Sequence, residues 1–164
     1  TVYFSLLFGK GDASSQAEIL EDSSCNACEY GKRILIAEDD IVSRLAASKF
    51  LERCGCFVVT VENGELALDT LQRGQFDAVF MDVQMPHLDG IEATKAIRRG
   101  EAGEANRSIP IIAMTAYAMS GDRQSFLAAG MSDYIAKPVA QESIERVLRR
   151  ILSAKGTGGN PYEK

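Results

Sequence analysis

From Lys32 onward the chain alternates two textures. Apolar runs of strand length stand at Ile34–Ala37, Phe57–Val61, Ala78–Met81, Ile111–Met114 and Tyr134–Ala136. Between and after them lie segments with helical spacing, at about 41–54, 64–73, 90–99, 119–129 and 141–153. The last is the clearest: Ile144, Val147, Leu148, Ile151 and Leu152 form one apolar stripe. Gly55, Gly74, Gly100 and Gly130 each follow a helical segment, where glycine is the usual left-handed stop. Regular β–α alternation predicts a parallel sheet with helices on both faces. Strands that are apolar at nearly every position fit burial from both sides.

The remainder of the chain lacks that rhythm. Residues 1–8 (TVYFSLLF) alternate like a strand, residues 9–31 are rich in Gly, Ser, Asp and Glu and predict a linker, and residues 155–164 predict a flexible tail. The missing initiator Met points to a fragment or a processed product, and the start lacks the basic region of a signal peptide. With 46% hydrophobic and 25% charged residues the composition is that of a globular domain, which excludes a disordered chain, a collagen and a coiled-coil rod. No apolar run approaches the roughly 18 residues of a membrane span. The net charge of −5 argues against nucleic-acid binding through phosphate contacts. Cys25, Cys28, Cys54 and Cys56 are too few for a disulfide scaffold, and we expect a reduced, cytoplasmic protein.

In open α/β sheets ligands bind beyond the carboxyl ends of the strands. Here the first strand ends in Glu38-Asp39-Asp40, the third in Asp82, the fourth in Thr115 and the fifth in Lys137-Pro138. Asp40, at a helix start, reads as a cap. Carboxylates clustered at a sheet edge suit a hard cation, and magnesium binds one or two carboxylates together with phosphate oxygens. A carboxylate beside a metal and a lysine can also attack phosphorus and become an aspartyl phosphate. Such transfer asks for in-line positioning and for charge neutralisation, which magnesium, Lys137 and the Thr115 hydroxyl would supply.

RILIAEDD, AVFMDVQMPHLDGIEA, IPIIAMTAYA and DYIAKPV, in this order, resemble the receiver domain of two-component response regulators over residues 32–154. The resemblance implies a flavodoxin-like, doubly wound five-stranded parallel sheet of order 2-1-3-4-5 with five helices. It implies that Asp82 is the phosphoacceptor, and that Glu38, Asp39, Asp82 and the backbone carbonyl of Gln84 hold Mg2+. Thr115 would be the switch hydroxyl, Tyr134 the aromatic switch, and Lys137 the phosphate-binding lysine, whose bond to proline is cis in the family. Glu38 stands where many relatives have Asp. The stretches after EDD, around MDVQMP and through MTAYAMSGDRQSFLAAGMSDYIAKP further resemble receivers fused to hybrid sensor histidine kinases. Residues 1–6 are similar to the last strand of a kinase ATP-binding domain. On that reading residues 1–8 are its remnant, and the fragment itself cannot autophosphorylate.

The function so implied is a phosphorelay step. Asp82 takes a phosphoryl group from the phosphohistidine domain of a histidine kinase and passes it to a histidine phosphotransfer protein, whose helices dock by Ile41 and Val42. We expect a monomer without nucleic-acid or direct membrane contacts, the parent kinase being the membrane-anchored part. The alternative is a Mg2+-dependent aspartate-nucleophile phosphatase or phosphotransferase. Such enzymes carry a second acid two residues after the nucleophile, where this chain has Gln84, and a cap for which no insertion is long enough. An unreactive pseudo-receiver would have a broken acid–acceptor–lysine set. His87, the single histidine, reads as an exposed loop residue, and the cysteines read as neither a zinc site nor a disulfide.

Overall fold

The computed structural model describes residues 31–117 and 122–153. The segment assignments for residues 1–8, for all but Gly31 of 9–31, and for 155–164, together with the first turn expected at 119–121, lie outside them. Five parallel strands, β1 (Arg33–Ala37), β2 (Phe57–Val61), β3 (Ala78–Asp82), β4 (Ile111–Thr115) and β5 (Asp133–Ala136), form one sheet in the order β2-β1-β3-β4-β5. Helices α1 (Ile41–Arg53), α2 (Gly64–Arg73), α3 (Gly90–Arg99), α4 (Asp122–Ala129) and α5 (Gln141–Ser153) connect or follow them.

Alternation along the central strands divides the core in two. Ile34, Ile36, Phe80, Ile112 and Met114 point to one face, which α1 covers with Ala47 and Leu51 and α5 with Ile144, Val147, Leu148 and Ile151. Leu35, Ala37, Val79, Met81, Ile111 and Ala113 point to the other, which is closed by Ala67 and Leu71 of α2, Ala93 and Ile97 of α3, and Phe126 of α4. β1, β3 and β4 are therefore buried on both sides, as their unbroken apolar runs predict.

The helices following β1, β2 and β3 each start on a side-chain cap. Asp40 accepts from Ser43 N at 2.8 Å, Asn63 from Leu66 N at 2.9 Å and Asp89 from Glu92 N at 2.9 Å. At the other helix ends, Gly55, Gly100 and Gly130 take positive φ as expected. Gly74 does not. Its φ of −138° leads the chain straight from α2 into extended backbone, so its role as a left-handed stop is corrected. A further short turn, the 3-10 helix Glu104–Asn106, escapes the periodicity argument because three residues carry no period. Asn106 ties it to the end of α2 by donating to Leu71 O at 2.9 Å.

Candidate functional site

Strand order 2-1-3 places the topological switch between β1 and β3, and residues that follow the strands meet there. Ladder bonds continue past the strand ends and fix their positions. Glu38 N donates to Val61 O at 3.0 Å, Val83 N to Met114 O at 3.0 Å and Lys137 N to Thr115 O at 2.7 Å. Close backbone packing fixes the loop after β3 as well. Gly90 N donates to Val83 O at 3.1 Å, and a Cβ on Gly90 would lie 2.0 Å from the Asp82 carbonyl oxygen.

Glu38 and Asp82 are buried polar residues, and Lys137 lies between them. Its Nζ stands 2.6 Å from Glu38 Oε2 and 2.9 Å from Asp82 Oδ2. The approach to Glu38 is an ion pair, without the alignment of a good hydrogen bond. Asp82 Oδ1 accepts from Gln84 N at 3.1 Å, and Glu38 Oε1 from Asp40 N at 3.3 Å. The Lys137–Pro138 peptide is cis.

The electrostatics follow from burial. Desolvation pushes the Glu38 carboxyl up to about 7; the Lys137 ammonium against it opposes this and the neighbouring Asp82 charge adds to it. Burial alone would lower the Lys137 ammonium, but the Glu38 and Asp82 carboxylates against it outweigh that and hold it above its ordinary value. Asp40, exposed, is held below the usual carboxylate range by the Ser43 N–H, consistent with a cap.

One oxygen each of Glu38, Asp39 and Asp82 lie within 4.8 Å of one another. Two of these carboxylates share one ammonium and the third, Asp39, stands beside them, so negative charge is left over in a partly buried site. All-oxygen donors with surplus charge and one solvent-facing member, Asp39, fit a hard divalent cation. The other residues expected at this edge stand as follows. Gln84 is exposed, with its N–H committed to Asp82. Thr115 is buried at the end of β4, where its hydroxyl donates to Tyr117 O at 3.0 Å and accepts from Tyr117 N at 3.1 Å; it is turned toward its own loop. Tyr134, on β5, packs with the α2–α3–α4 side of the core, its ring 6.4 Å from that of Phe126. Ile41 and Val42 are 69% and 75% exposed beside the site on the first turn of α1.

Two features are absent from the sequence reading. Arg44 reaches back from α1 to the Glu38 carbonyl, where a basic helix residue reads as a solvated face. His87 is exposed as expected but has φ of 67°, a left-handed conformation that nothing in MPHLDG announces for a histidine. Cys54 and Cys56 are buried in the core beside α1, away from the acids.

This arrangement on this sheet is that of the response regulator receiver domain family, which matches residues 34–149; the chain belongs to it. It is 42% identical over 116 residues to the sensor protein GacS of Pseudomonas syringae pv. syringae, covering 71% of this chain and 13% of GacS. It is 38% identical over 122 residues to the hybrid signal transduction histidine kinase I of Dictyostelium discoideum, covering 71% of this chain and 7% of that protein. The chain thus spans a small part of these relatives. Among solved structures, the receiver domain of the sensor histidine kinase PA1611 from Pseudomonas aeruginosa PAO1, with a magnesium ion coordinated in its active-site cleft, superposes with a TM-score of 0.68. That pair is 41% identical and covers 75% of this chain and 98% of the other. The chain is therefore a receiver domain of two-component signalling. Among the described residues no helix is long and apolar enough to cross a membrane.

Proposed function

We propose that Asp82 is the phosphoacceptor of a phosphorelay and that Glu38, Asp39, Asp82 and the Gln84 carbonyl hold a magnesium ion. The observation that supports this most is the surplus charge: three clustered carboxylates against one lysine. Bound there, magnesium would offset the repulsion between acids and incoming phosphoryl oxygens. The carboxylate of Asp82 forms a new O–P bond while the N–P bond of a phosphohistidine breaks. The imidazole leaves with the electron pair and takes up a proton. Lys137 stays with the transferred group as its counter-charge. Thr115 exchanges its bond to Tyr117 O for one to a phosphoryl oxygen, and Tyr134 turns into the space so vacated. The β4–α4–β5 face shifts population in response.

Transfer onward to a histidine phosphotransfer protein, docked by the exposed Ile41 and Val42, completes the relay. The likeness to GacS and to a Dictyostelium hybrid kinase supports a hybrid histidine kinase as the parent, and with it a cytoplasmic receiver unit at residues 32–154. The reading frame upstream of Thr1 tests that parentage: a kinase core supports it and an unrelated domain contradicts it.

Beryllofluoride, a phosphoryl mimic, tests the site. With magnesium present it should shift the amide resonances of Thr115 and Tyr134, and Lys137→Ala should shrink those shifts. A full response in Lys137→Ala would overturn the role given to the lysine.

A further inference from the structure

Arg44 occupies the joint between α1 and the ends of β1 and β2. Its side chain is only 16% exposed, although it stands on the first turns of α1 near the exposed Ile41 and Val42. One guanidinium nitrogen donates to the Glu38 carbonyl at 2.9 Å, and the other to Glu62 Oε1 at 3.2 Å. Glu62 follows β2, Glu38 follows β1, and the two strand ends are joined by the bond from Glu38 N to Val61 O. Arg44 therefore ties three elements together immediately behind the acids.

The carbonyl it holds belongs to the peptide that joins Glu38 to Asp39. Fixing that plane fixes the direction from which both acids leave the backbone. The neighbouring bonds act on the same turn: Arg44 N donates to Asp40 O at 2.9 Å, and Asp40 N to Glu38 Oε1 at 3.3 Å. Remove the guanidinium, and the Glu38 carbonyl loses this donor; the bonds that remain around it, from Glu38 N to Val61 O and from Asp40 N to Glu38 Oε1, hold the preceding peptide and the Glu38 side chain.

We infer that Arg44 is a positioning residue for the divalent cation, acting through the Glu38–Asp39 peptide and touching neither cation nor phosphoryl group. The inference rests on the proposed magnesium site. It makes a prediction of unusual sign. By charge alone a guanidinium near a dication site repels the dication, so deleting it should tighten binding. Positioning predicts the reverse, since losing the partner that orients metal ligands commonly weakens affinity by about 10–100-fold.

The test is a magnesium titration of the full chain, followed by amide resonances, with the urea midpoint measured alongside. Arg44→Met keeps the aliphatic stem and removes both donors. It should bind magnesium about tenfold more weakly and broaden the Glu38 and Asp39 amides in the metal-free protein. Glu62→Gln leaves the bond to the Glu38 carbonyl in place and should stay within about twofold of the parent. If Arg44→Met also lowers the urea midpoint, Arg44→Lys replaces it: charge and stem remain, the fork is lost, and the same weakening is expected. Unchanged or tighter binding in the variant overturns the inference and leaves the cation site standing. A parent chain that binds no magnesium, or binds it equally well after Asp82→Asn, overturns the site itself.

Discussion

The two edges of the sheet carry similar residues and behave differently. At the amino edge, Lys32 Nζ lies 4.0 Å from Asp77 Oδ1, with side chains 25% and 27% exposed. Asp77 Oδ2 accepts from Arg33 N at 3.0 Å, and the Arg33 guanidinium lies 5.2 Å from the centre of the Phe76 ring. One carboxylate there meets a lysine and a backbone donor, and water reaches the pair. At the carboxyl edge one lysine serves two carboxylates, Glu38 and Asp82, whose side chains are 0% and 5% exposed, with Asp39 beside them. At the first edge the carboxylate is paired and ties β1 to β3. The second is left with negative charge that the protein does not neutralise. Charge imbalance under burial, more than the presence of acids, separates a site built for a ligand from a structural staple.

The contrast can be broken at its strongest point first. Lys137→Ala leaves two buried carboxylates unpaired, and in metal-free protein at about pH 8 it should cost about 3–4 kcal/mol in urea unfolding. Added magnesium should recover much of that loss. A loss below about 1 kcal/mol would place this pair in the class of surface ion pairs.

The backbone differs between the edges too. Gly90→Ala puts a methyl 2.0 Å from the Asp82 carbonyl oxygen and 2.9 Å from its carbon. Backbone must move, and we expect a loss of about 3 kcal/mol together with weaker magnesium binding. Gly103, beside the amino edge, has φ of 95° but no neighbour nearer than 3.7 Å to an added Cβ. Gly103→Ala should therefore cost about 1–3 kcal/mol, from backbone strain alone at ψ of 139°, with magnesium affinity unchanged. Unchanged magnesium binding in Gly90→Ala, or weakened binding in Gly103→Ala, would contradict this account of the acceptor loop.

Proton linkage sharpens the comparison further. Burial raises the Glu38 carboxyl from 4.5 to about 7, so between those values the folded protein binds more protons than the unfolded chain. Stability of the metal-free protein should then fall by about 3 kcal/mol as pH rises through that window. The raised Lys137 contributes its stability below its ordinary range and loses it only at more alkaline pH, outside the window. With magnesium the fall should flatten; urea midpoints from about pH 5 to pH 8, with and without the ion, decide it. The smallest effect is at the amino edge. Lys32→Ala should change stability by less than about 1 kcal/mol and leave magnesium affinity as it was.

Much of this architecture was legible because period and burial coincide. The strands of the two-sided core read as unbroken apolar runs, and α5 as a clean stripe. The converging residues could be found because a parallel sheet sends every strand's carboxyl end to one edge, so Glu38, Asp82, Thr115 and Lys137 needed no geometry beyond strand direction. What stayed hidden depends on reach and not on order. Arg44 looks like any basic residue on a helix until the helix packs and its side chain turns back to β1. Gly74 resembles the other helix-ending glycines, but its backbone answers to how quickly the chain must re-enter the sheet. The shift of Glu38 comes from complete enclosure, which a polar residue following an apolar run does not reveal. Thr115 was placed at the right edge, yet its bonds to Tyr117 are a matter of rotamer.

Mass spectrometry after incubation with a small phosphodonor tests the central claim most directly. The account predicts one added phosphoryl group when magnesium is present, none when the ion is chelated, and none in Asp82→Asn even with magnesium. Labelling of Asp82→Asn to the same extent as the parent, or labelling of the parent that persists under chelation, would contradict it.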